Sequence, residues 1–139
     1  MNRYEQLIEM AFAARKMSYA SYSHFQVGAA LLGKNDAIYK GCNIENASFS
    51  ATNCAERTAF YNAIADGQTE FEAIAIVGGV EGASKLEYCT PCGICRQVMR
   101  EFCNPDEFEI ILAKSTTEYQ VHTLAELLPM SFGPENLDK

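Results

Sequence analysis

Five residues in two short segments carry side chains that could do chemistry together. The segment "NCAERTAF" supplies a thiol, a carboxylate and a guanidinium at Cys54, Glu56 and Arg57. The segment "PCGICRQ" supplies two more thiols, at Cys92 and Cys95. Cysteine thiolates are zinc ligands, and three protein ligands leave the fourth position of a tetrahedral ion open to water or substrate. The pattern therefore indicates a catalytic zinc site with one ion per chain.

The two charged side chains of the first segment suit such a site. A base near zinc-bound water completes its deprotonation, and Glu56 is the candidate. It lies two residues after Cys54, about 200° around a regular helix, so it is not a second ligand on the same face. Three thiolates on Zn²⁺ leave a net negative charge, which Arg57 is placed to compensate. The same spacing argument equally suggests Arg96, four residues after Cys92.

The composition is that of one globular domain covering residues 1–139. The chain is 48% hydrophobic and 21% charged, which is typical of a folded protein. It has 11 basic against 18 acidic residues, a net charge of −7, and no basic cluster, so a nucleic-acid partner is not expected. No apolar run is long enough for a membrane helix, and no signal peptide is recognised. We therefore expect a cytoplasmic protein, in which 6 cysteines favour metal or catalytic chemistry over disulfides.

The periodicity of apolar residues and the turn signals predict helices and strands in the order α-β-β-α-β-α-β-β-α. Two strongly apolar strands separated by a helix indicate a parallel crossover, so the expected fold is α/β: a single three-layer α/β/α domain with a five-stranded mixed sheet. The predicted elements are a helix over Tyr4–Met17, strands over Phe25–Leu32 and Ile38–Asn43, a helix capped by Thr52 or Asn53 and ending at Asp66–Gly67, the strand "FEAIAIVGG", a helix in "CTPCGICRQVMREF", the strands "FEIILA" and "YQVHT", and a helix over Thr123–Leu128.

In this arrangement the thiols of both segments lie at helix starts. Cys54 begins the second helix, and Cys92 and Cys95 begin the third. The N–H groups and the dipole at a helix N-terminus favour thiolate over thiol. Cys92 and Cys95 alone would equally fit a redox pair or two buried thiols, and the third thiol favours zinc.

Five segments, in order, carry a family resemblance: "FQVGAALL", "GCNIENAS", "NCAERTA", "PCGICRQV" and "ELLPMSF". They resemble the small homotetrameric zinc-dependent cytidine deaminases almost from end to end, and include the three-cysteine form of the deaminase zinc signature. The resemblance implies hydrolytic deamination of cytidine and deoxycytidine to uridine and deoxyuridine with release of ammonia, a pyrimidine salvage reaction. It implies Zn²⁺, one per chain, and no organic cofactor.

The resemblance also implies roles for single residues. It assigns zinc binding to Cys54, Cys92 and Cys95, and proton transfer to Glu56. For the substrate, it assigns ribose contacts to Asn43 and Glu45, and base stacking to Phe25. The Ala55 backbone N–H would face the 2-oxo group, and Phe132 of a neighbouring subunit would pack on the base. Phe49 departs from the pattern, because relatives commonly carry Tyr there, and the missing hydroxyl puts one contact across subunits in doubt.

Alternatives remain at this stage. A blasticidin-S-type nucleoside antibiotic deaminase shares the zinc segments and the "ELLP" ending, and cytidine is preferred because "NIENAS" carries Glu45. If Cys89 were a fourth ligand, the site would be closed and structural, as in a zinc-stabilised binding module without enzymatic activity. Phe25 has a plainer reading as a core residue, and Phe132 as an anchor within its own chain.

Overall fold

The structure is a computed structural model, and it describes residues 1–137 of the chain. In chain order the elements are α1 (Arg3–Arg15), β1 (Phe25–Gly33), β2 (Ile38–Cys42), α2 (Ala55–Ala65), β3 (Phe71–Val80), α3 (Gly93–Phe102), β4 (Glu109–Ala113), β5 (Tyr119–Thr123) and α4 (Leu124–Leu127), with 3₁₀ turns at Phe49–Ala51 and Pro134–Leu137. The predicted order is confirmed, and most predicted boundaries agree within two residues.

The strands form one mixed sheet in the order β2-β1-β3-β4-β5. Among the five strands formed by residues 1–137, only β3 and β4 run parallel, with Ile74 opposite Ile110. Helix α3 makes the crossover between them. The other neighbouring strands pair antiparallel. This confirms the five-stranded mixed sheet. It also sets the starts of α2 and α3 on the same side of the sheet.

Helices cover both faces of the sheet, as predicted. One layer is α1, whose apolar residues pack on the small side chains of one face. The opposite layer contains α2, α3 and α4, and its core includes Phe60, Met99 and Phe108. Gly41 permits this layer to sit close at the candidate site, since a Cβ there would collide with the backbone of Ala55 and Ala59 in α2. The first turn of α2 therefore rests directly on β2.

One boundary near the candidate site differs from its prediction. The N-cap of α2 is Cys54, with extended backbone at φ −75° and ψ 156°, and not Thr52 or Asn53. The cause is a pairing distant in sequence: Asn53 and Ile44 exchange backbone hydrogen bonds of 2.9 and 3.0 Å, which hold residue 53 extended. The Thr52 hydroxyl is also engaged, because it accepts a hydrogen bond from the Asn46 N–H at 3.1 Å.

Candidate active site

Three cysteine thiols meet where α2 and α3 begin. Cys54 is the N-cap of α2, Cys92 is the N-cap of α3, and Cys95 lies in the first turn of α3. Their Sγ atoms all lie within 4.8 Å of one another. The Cys54 and Cys92 sulfurs are 3.8 Å apart. Tetrahedral zinc with Zn–S bonds of ~2.3 Å needs sulfurs about 3.8 Å apart, so these residues fit one zinc ion.

The thiols of this cluster are electrostatically unequal. A hydrogen bond from the Cys95 thiol, together with one from Arg57, lowers the pKa of Cys54 to about 5. The same bond to Cys54, followed by burial, raises the pKa of the Cys95 thiol. The cluster thus already stabilises one thiolate, the form in which cysteine binds metal.

Arg57 is the guanidinium that contacts the thiols. Its Nη2 atom donates a hydrogen bond to Cys54 Sγ at 3.2 Å. Its Nε atom is buried without a hydrogen-bond partner among residues 1–137, so the guanidinium keeps a donor for another acceptor. Arg96 is engaged elsewhere: it donates to the backbone oxygens of Pro91 and Leu127. Of the two arginines that spacing allowed, the structure brings Arg57 to the sulfurs.

Glu56 is a buried carboxyl group beside the cluster, only 4% exposed. Burial, with a smaller contribution from the nearby charge of Cys54, raises its pKa to about 7. No salt bridge joins Glu56 to a basic side chain within residues 1–137. A carboxyl group with a pKa near neutrality can both accept and release protons at physiological pH.

Cys89 lies outside the three-thiol cluster. Its sulfur is not in the metal-sized group formed by the described residues. It packs instead against Gly78, where a Cβ would come within 2.8 Å of the Cys89 Sγ atom. Burial raises the pKa of the Cys89 thiol to about 11. The geometry therefore matches an open three-ligand site and not a closed four-thiol site.

The residues expected to contact a nucleoside lie on neighbouring strand ends. Phe25, at the start of β1, is 39% exposed and does not belong to the core. Asn43 follows β2 and donates from Nδ2 to the Phe25 oxygen at 2.8 Å, while its Oδ1 accepts from Val27 N at 2.9 Å. Ile44, the next residue, pairs with Asn53 immediately before Cys54. This pairing places Asn43, and Phe25 bonded to it, next to the thiol cluster.

Glu45 is held by the turn that precedes β1. Its Oε1 atom accepts from the N–H groups of Tyr22 at 2.9 Å and Ser23 at 3.0 Å. Its Oε2 atom accepts from the Ser23 hydroxyl. The hydrogen bond from the Ser23 hydroxyl is the main cause that lowers the pKa of Glu45. Glu45 is therefore an ionised acceptor fixed in one place.

Ala55 and Phe132 occupy very different surroundings. Ala55 is fully buried as the first residue of α2, a position whose N–H has no acceptor within its own helix. Phe132 lies after α4 and is 59% exposed, and its backbone oxygen accepts from Gln97 Nε2 at 2.9 Å. Within residues 1–137, Phe132 is not part of either core cluster.

Sequence reasoning missed the residues that fix these elements. Arg100 of α3 is only 9% exposed; it donates to Ser131 Oγ at 2.8 Å and pairs with Glu135. A Cβ at Gly133 would collide with the Arg100 guanidinium, so the chain passes directly over it. Ser23 beneath Glu45 was missed as well. Two features of the sequence could have identified them: Arg100 is a basic residue on the apolar side of its helix, and the Ser23 hydroxyl lies two residues before Phe25.

Comparison with known proteins agrees with the site geometry. A model of the cytidine and deoxycytidylate deaminase zinc-binding region matches residues 1–109. The chain is 47% identical over 133 residues to a cytidine deaminase of Sporosarcina psychrophila, covering 96% of this chain and 93% of that protein. It is 44% identical over 134 residues to a cytidine deaminase of Halalkalibacterium halodurans, covering 96% of this chain and 97% of the relative.

Solved structures lead to the same class. The crystal structure of a cytidine deaminase from Burkholderia pseudomallei superimposes with a TM-score of 0.83 at 45% identity, covering 95% of this chain and all (100%) of that one. A cytidine deaminase from Mycobacterium tuberculosis gives a TM-score of 0.77 at 32% identity, covering 96% and 99%. The fold and the site define a zinc-binding α/β protein of the deaminase class. This chain belongs to the cytidine and deoxycytidylate deaminase family.

The helices of residues 1–137 are too short or too polar to span a bilayer.

Proposed function

We propose that this chain catalyses the hydrolytic deamination of cytidine and deoxycytidine to uridine and deoxyuridine, with release of ammonia. The observation that carries the proposal is the juxtaposition of three metal-spaced thiols with the buried carboxyl group of Glu56. The names of the relatives, cytidine deaminases at up to 47% identity, support the substrate class. Ionised Glu45 favours a ribonucleoside over a blasticidin-S-type antibiotic, because it offers an acceptor to sugar hydroxyls.

Cys54, Cys92 and Cys95 would hold the zinc ion, which when bound supplies an activated water as nucleophile. Glu56 would take one proton from the attacking water and deliver it to N3 of the base as the water oxygen bonds to C4. It then carries the second proton to the amino group at C4. The C4–N bond breaks, ammonia leaves, and the 4-oxo group of uridine remains. A pKa of about 7 lets Glu56 act as base and then as acid.

Arg57 acts on the charge of the ligand set. Three thiolates around a divalent ion leave one excess negative charge, which reduces the ability of the metal to polarise an oxygen. The hydrogen bond from Arg57 to Cys54 Sγ, 3.2 Å long, withdraws charge from that sulfur. Arg57 is thus a charge-compensating residue, and its contact with Cys54 supports this role.

Substrate recognition uses the strand ends beside the cluster. Phe25 stacks on the pyrimidine, Asn43 and Glu45 bind the sugar hydroxyls, and the Ala55 N–H faces the 2-oxo group. The support is that Phe25 is exposed, Glu45 is fixed and ionised, and Ala55 is the first residue of α2, a position whose N–H has no acceptor within its own helix. A site built to bond a hydroxyl discriminates strongly against a compound that lacks it. Free cytosine is therefore a poor substrate.

Each site is completed by a second subunit. Phe132 from a neighbouring subunit of a homotetramer packs on the base. This proposal is supported by the 59% exposure of Phe132 and by the exposed apolar residues Met130 and Phe49, at 103% and 80%. The partners are then a nucleoside and three further copies of the chain, with no nucleic acid and no membrane. A reducing, cytoplasmic location follows from the need for free thiols.

The test is a zinc assay on the purified protein together with ultraviolet turnover of cytidine, deoxycytidine, cytosine and blasticidin S. We expect about one zinc per chain, turnover of both nucleosides, and little turnover of cytosine. Turnover of blasticidin S alone would favour the antibiotic deaminase. Bound zinc without turnover of any of the four compounds would contradict the proposal and favour a structural zinc module.

A further inference from the structure

One hydroxyl group connects the residues proposed to contact the nucleoside. Ser23 Oγ donates to Glu45 Oε2 and accepts from the Phe25 N–H at 3.0 Å. Asn43 holds the other side of the same peptide segment, because its Nδ2 atom bonds the Phe25 oxygen at 2.8 Å. The sugar-binding and base-stacking candidates therefore form one hydrogen-bonded unit with Ser23 at its centre.

Several hydrogen bonds hold the backbone next to Ser23 in an unfavourable conformation. His24, the next residue, has a φ of +60°, in the left-handed region that non-glycine residues seldom adopt. Its N–H donates to the Ala20 oxygen at 2.8 Å, and its oxygen accepts from the Glu81 N–H at 2.7 Å. Unfavourable backbone of this kind persists only where the surrounding structure holds it, and it is concentrated at functional sites.

The bonds on Glu45 leave room for a ligand. An ionised carboxylate offers about four acceptor positions. The Tyr22 N–H, the Ser23 N–H and the Ser23 hydroxyl occupy three of them. About one acceptor position therefore remains, the number needed to bond a single hydroxyl of a sugar. The turn fixes the direction of that acceptor by holding both oxygens.

We propose that Ser23 is a positioning residue for substrate specificity. It holds Glu45 and Phe25 in the relative positions at which one nucleoside contacts both. This inference rests on the proposed function. It assigns Ser23 no contact with the reacting atoms. Ser23 should therefore affect the Michaelis constant and the preference for cytidine over cytosine, and not the chemical step at Glu56.

The first experiment replaces Ser23 by Ala, with Ser21→Ala as the matched control. Ser21 is an exposed serine of the same turn whose hydroxyl takes no part in the unit. Hydrogen bonds to charged groups contribute enough that Ser23→Ala should raise KM for cytidine about tenfold. kcat should stay within about twofold of the wild type, because Glu56 and the thiols are untouched. Ser21→Ala should match the wild type in both constants.

A second pair of variants isolates the hydroxyl. Ser23→Thr keeps it and Ser23→Val removes it from a side chain of nearly the same shape, so KM should be near normal for Thr and raised for Val. Equal KM values for these two would overturn the proposal. In a Glu45→Ala background, Ser23→Ala should raise KM by less than it does alone, since much of its effect passes through Glu45. If Ser23→Ala raised KM by the same factor with and without the Glu45 side chain, the proposal would also be overturned.

The outcomes separate this inference from the proposed function. If the wild-type protein turns over no cytidine, both fail. If the wild type is active and Ser23→Ala leaves KM and the cytidine-to-cytosine preference unchanged, only the positioning role of Ser23 fails.

Discussion

The guanidinium nitrogen Nη2 of Arg57 lies 3.2 Å from the sulfur of Cys54, at the point where α2 begins. This hydrogen bond, after that of the Cys95 thiol, helps to lower the pKa of Cys54 to about 5. The hydrogen bond between Arg57 and Cys54 is also the main cause that raises the pKa of Arg57. The pair therefore joins a permanent cation to a thiolate in the ligand set.

Loss of this cation should weaken catalysis without releasing the metal. Arg57→Gln removes the charge, and because hydrogen bonds to charged groups contribute ~1.5–3 kcal/mol, kcat/KM for cytidine should fall roughly ten- to a hundredfold. Arg57→Lys keeps a positive charge and should lose less. Zinc content should stay near one per chain in both variants. An Arg57→Gln enzyme with wild-type kcat/KM would contradict the role.

The metal should depend on three cysteines and not on a fourth. Cys54→Ala, Cys92→Ala and Cys95→Ala should each release or greatly weaken zinc, because two thiols no longer enclose the ion. Cys89→Ser is the matched control: its sulfur lies outside the cluster, so zinc and activity should remain. Elemental analysis per mole of chain measures both. Zinc loss in the Cys89 variant would refute the open three-ligand site.

Much of the fold could be predicted from local patterns. The strand over "FEAIAIVGG" is continuously apolar after Glu72, as expected for β3, which is buried on both faces of the sheet. Thr123 opens α4 with a capping box involving Glu126. The three thiols of the zinc cluster were identified from residue type and spacing, since the α/β order places both helix starts at one edge. The structure brings them within 4.8 Å.

The remainder depended on contacts between distant residues. Thr52 and Asn53 look like N-cap residues, but pairing of Asn53 with Ile44 extends the chain and moves the cap to Cys54. The choice between Arg57 and Arg96 likewise depended on the Leu127 oxygen, which takes a hydrogen bond from Arg96. Such partners lie 9 and 31 residues apart, beyond the reach of helix or strand periodicity.

Sugar recognition should depend on Glu45. Glu45→Ala removes an ionised acceptor, so cytidine turnover should fall strongly, while any residual turnover of free cytosine should change little. The measurement is kcat/KM for both compounds in both proteins. The wild type should prefer cytidine by orders of magnitude, and the variant should lose most of that preference. Comparable efficiencies for cytosine and cytidine in the wild type would rule out this basis of specificity.

Phe132 should act on the base without touching the metal. Stacking of a base on an aromatic ring contributes ~1–3 kcal/mol, so Phe132→Ala should raise KM for cytidine roughly ten- to a hundredfold. Zinc content should stay at the wild-type value. Gln97, which bonds the Phe132 oxygen at 2.9 Å, remains in place in this variant and keeps the segment attached to α3.

Mixed assemblies would decide which subunit Phe132 serves. Cys92→Ala chains lack the metal and Phe132→Ala chains lack the ring, so each parent has a defect at every site. If Phe132 acts across subunits, co-assembly creates some sites with both parts intact, and activity exceeds that of either parent alone. Sedimentation and melting curves confirm that both chains fold and co-assemble. Activity that only averages the parents would show that Phe132 serves its own chain.

The central claim is that Glu56 moves protons and binds no metal, and Glu56→Gln tests it most directly. The amide has nearly the same shape as the carboxylic acid in this buried position, so the variant should fold and keep about one zinc per chain. It cannot accept and release protons near neutral pH, so kcat for cytidine should fall by at least ~10²–10⁴-fold. We predict zinc content near that of the wild type together with this loss of kcat. A zinc-loaded Glu56→Gln enzyme with near-normal kcat would contradict the account.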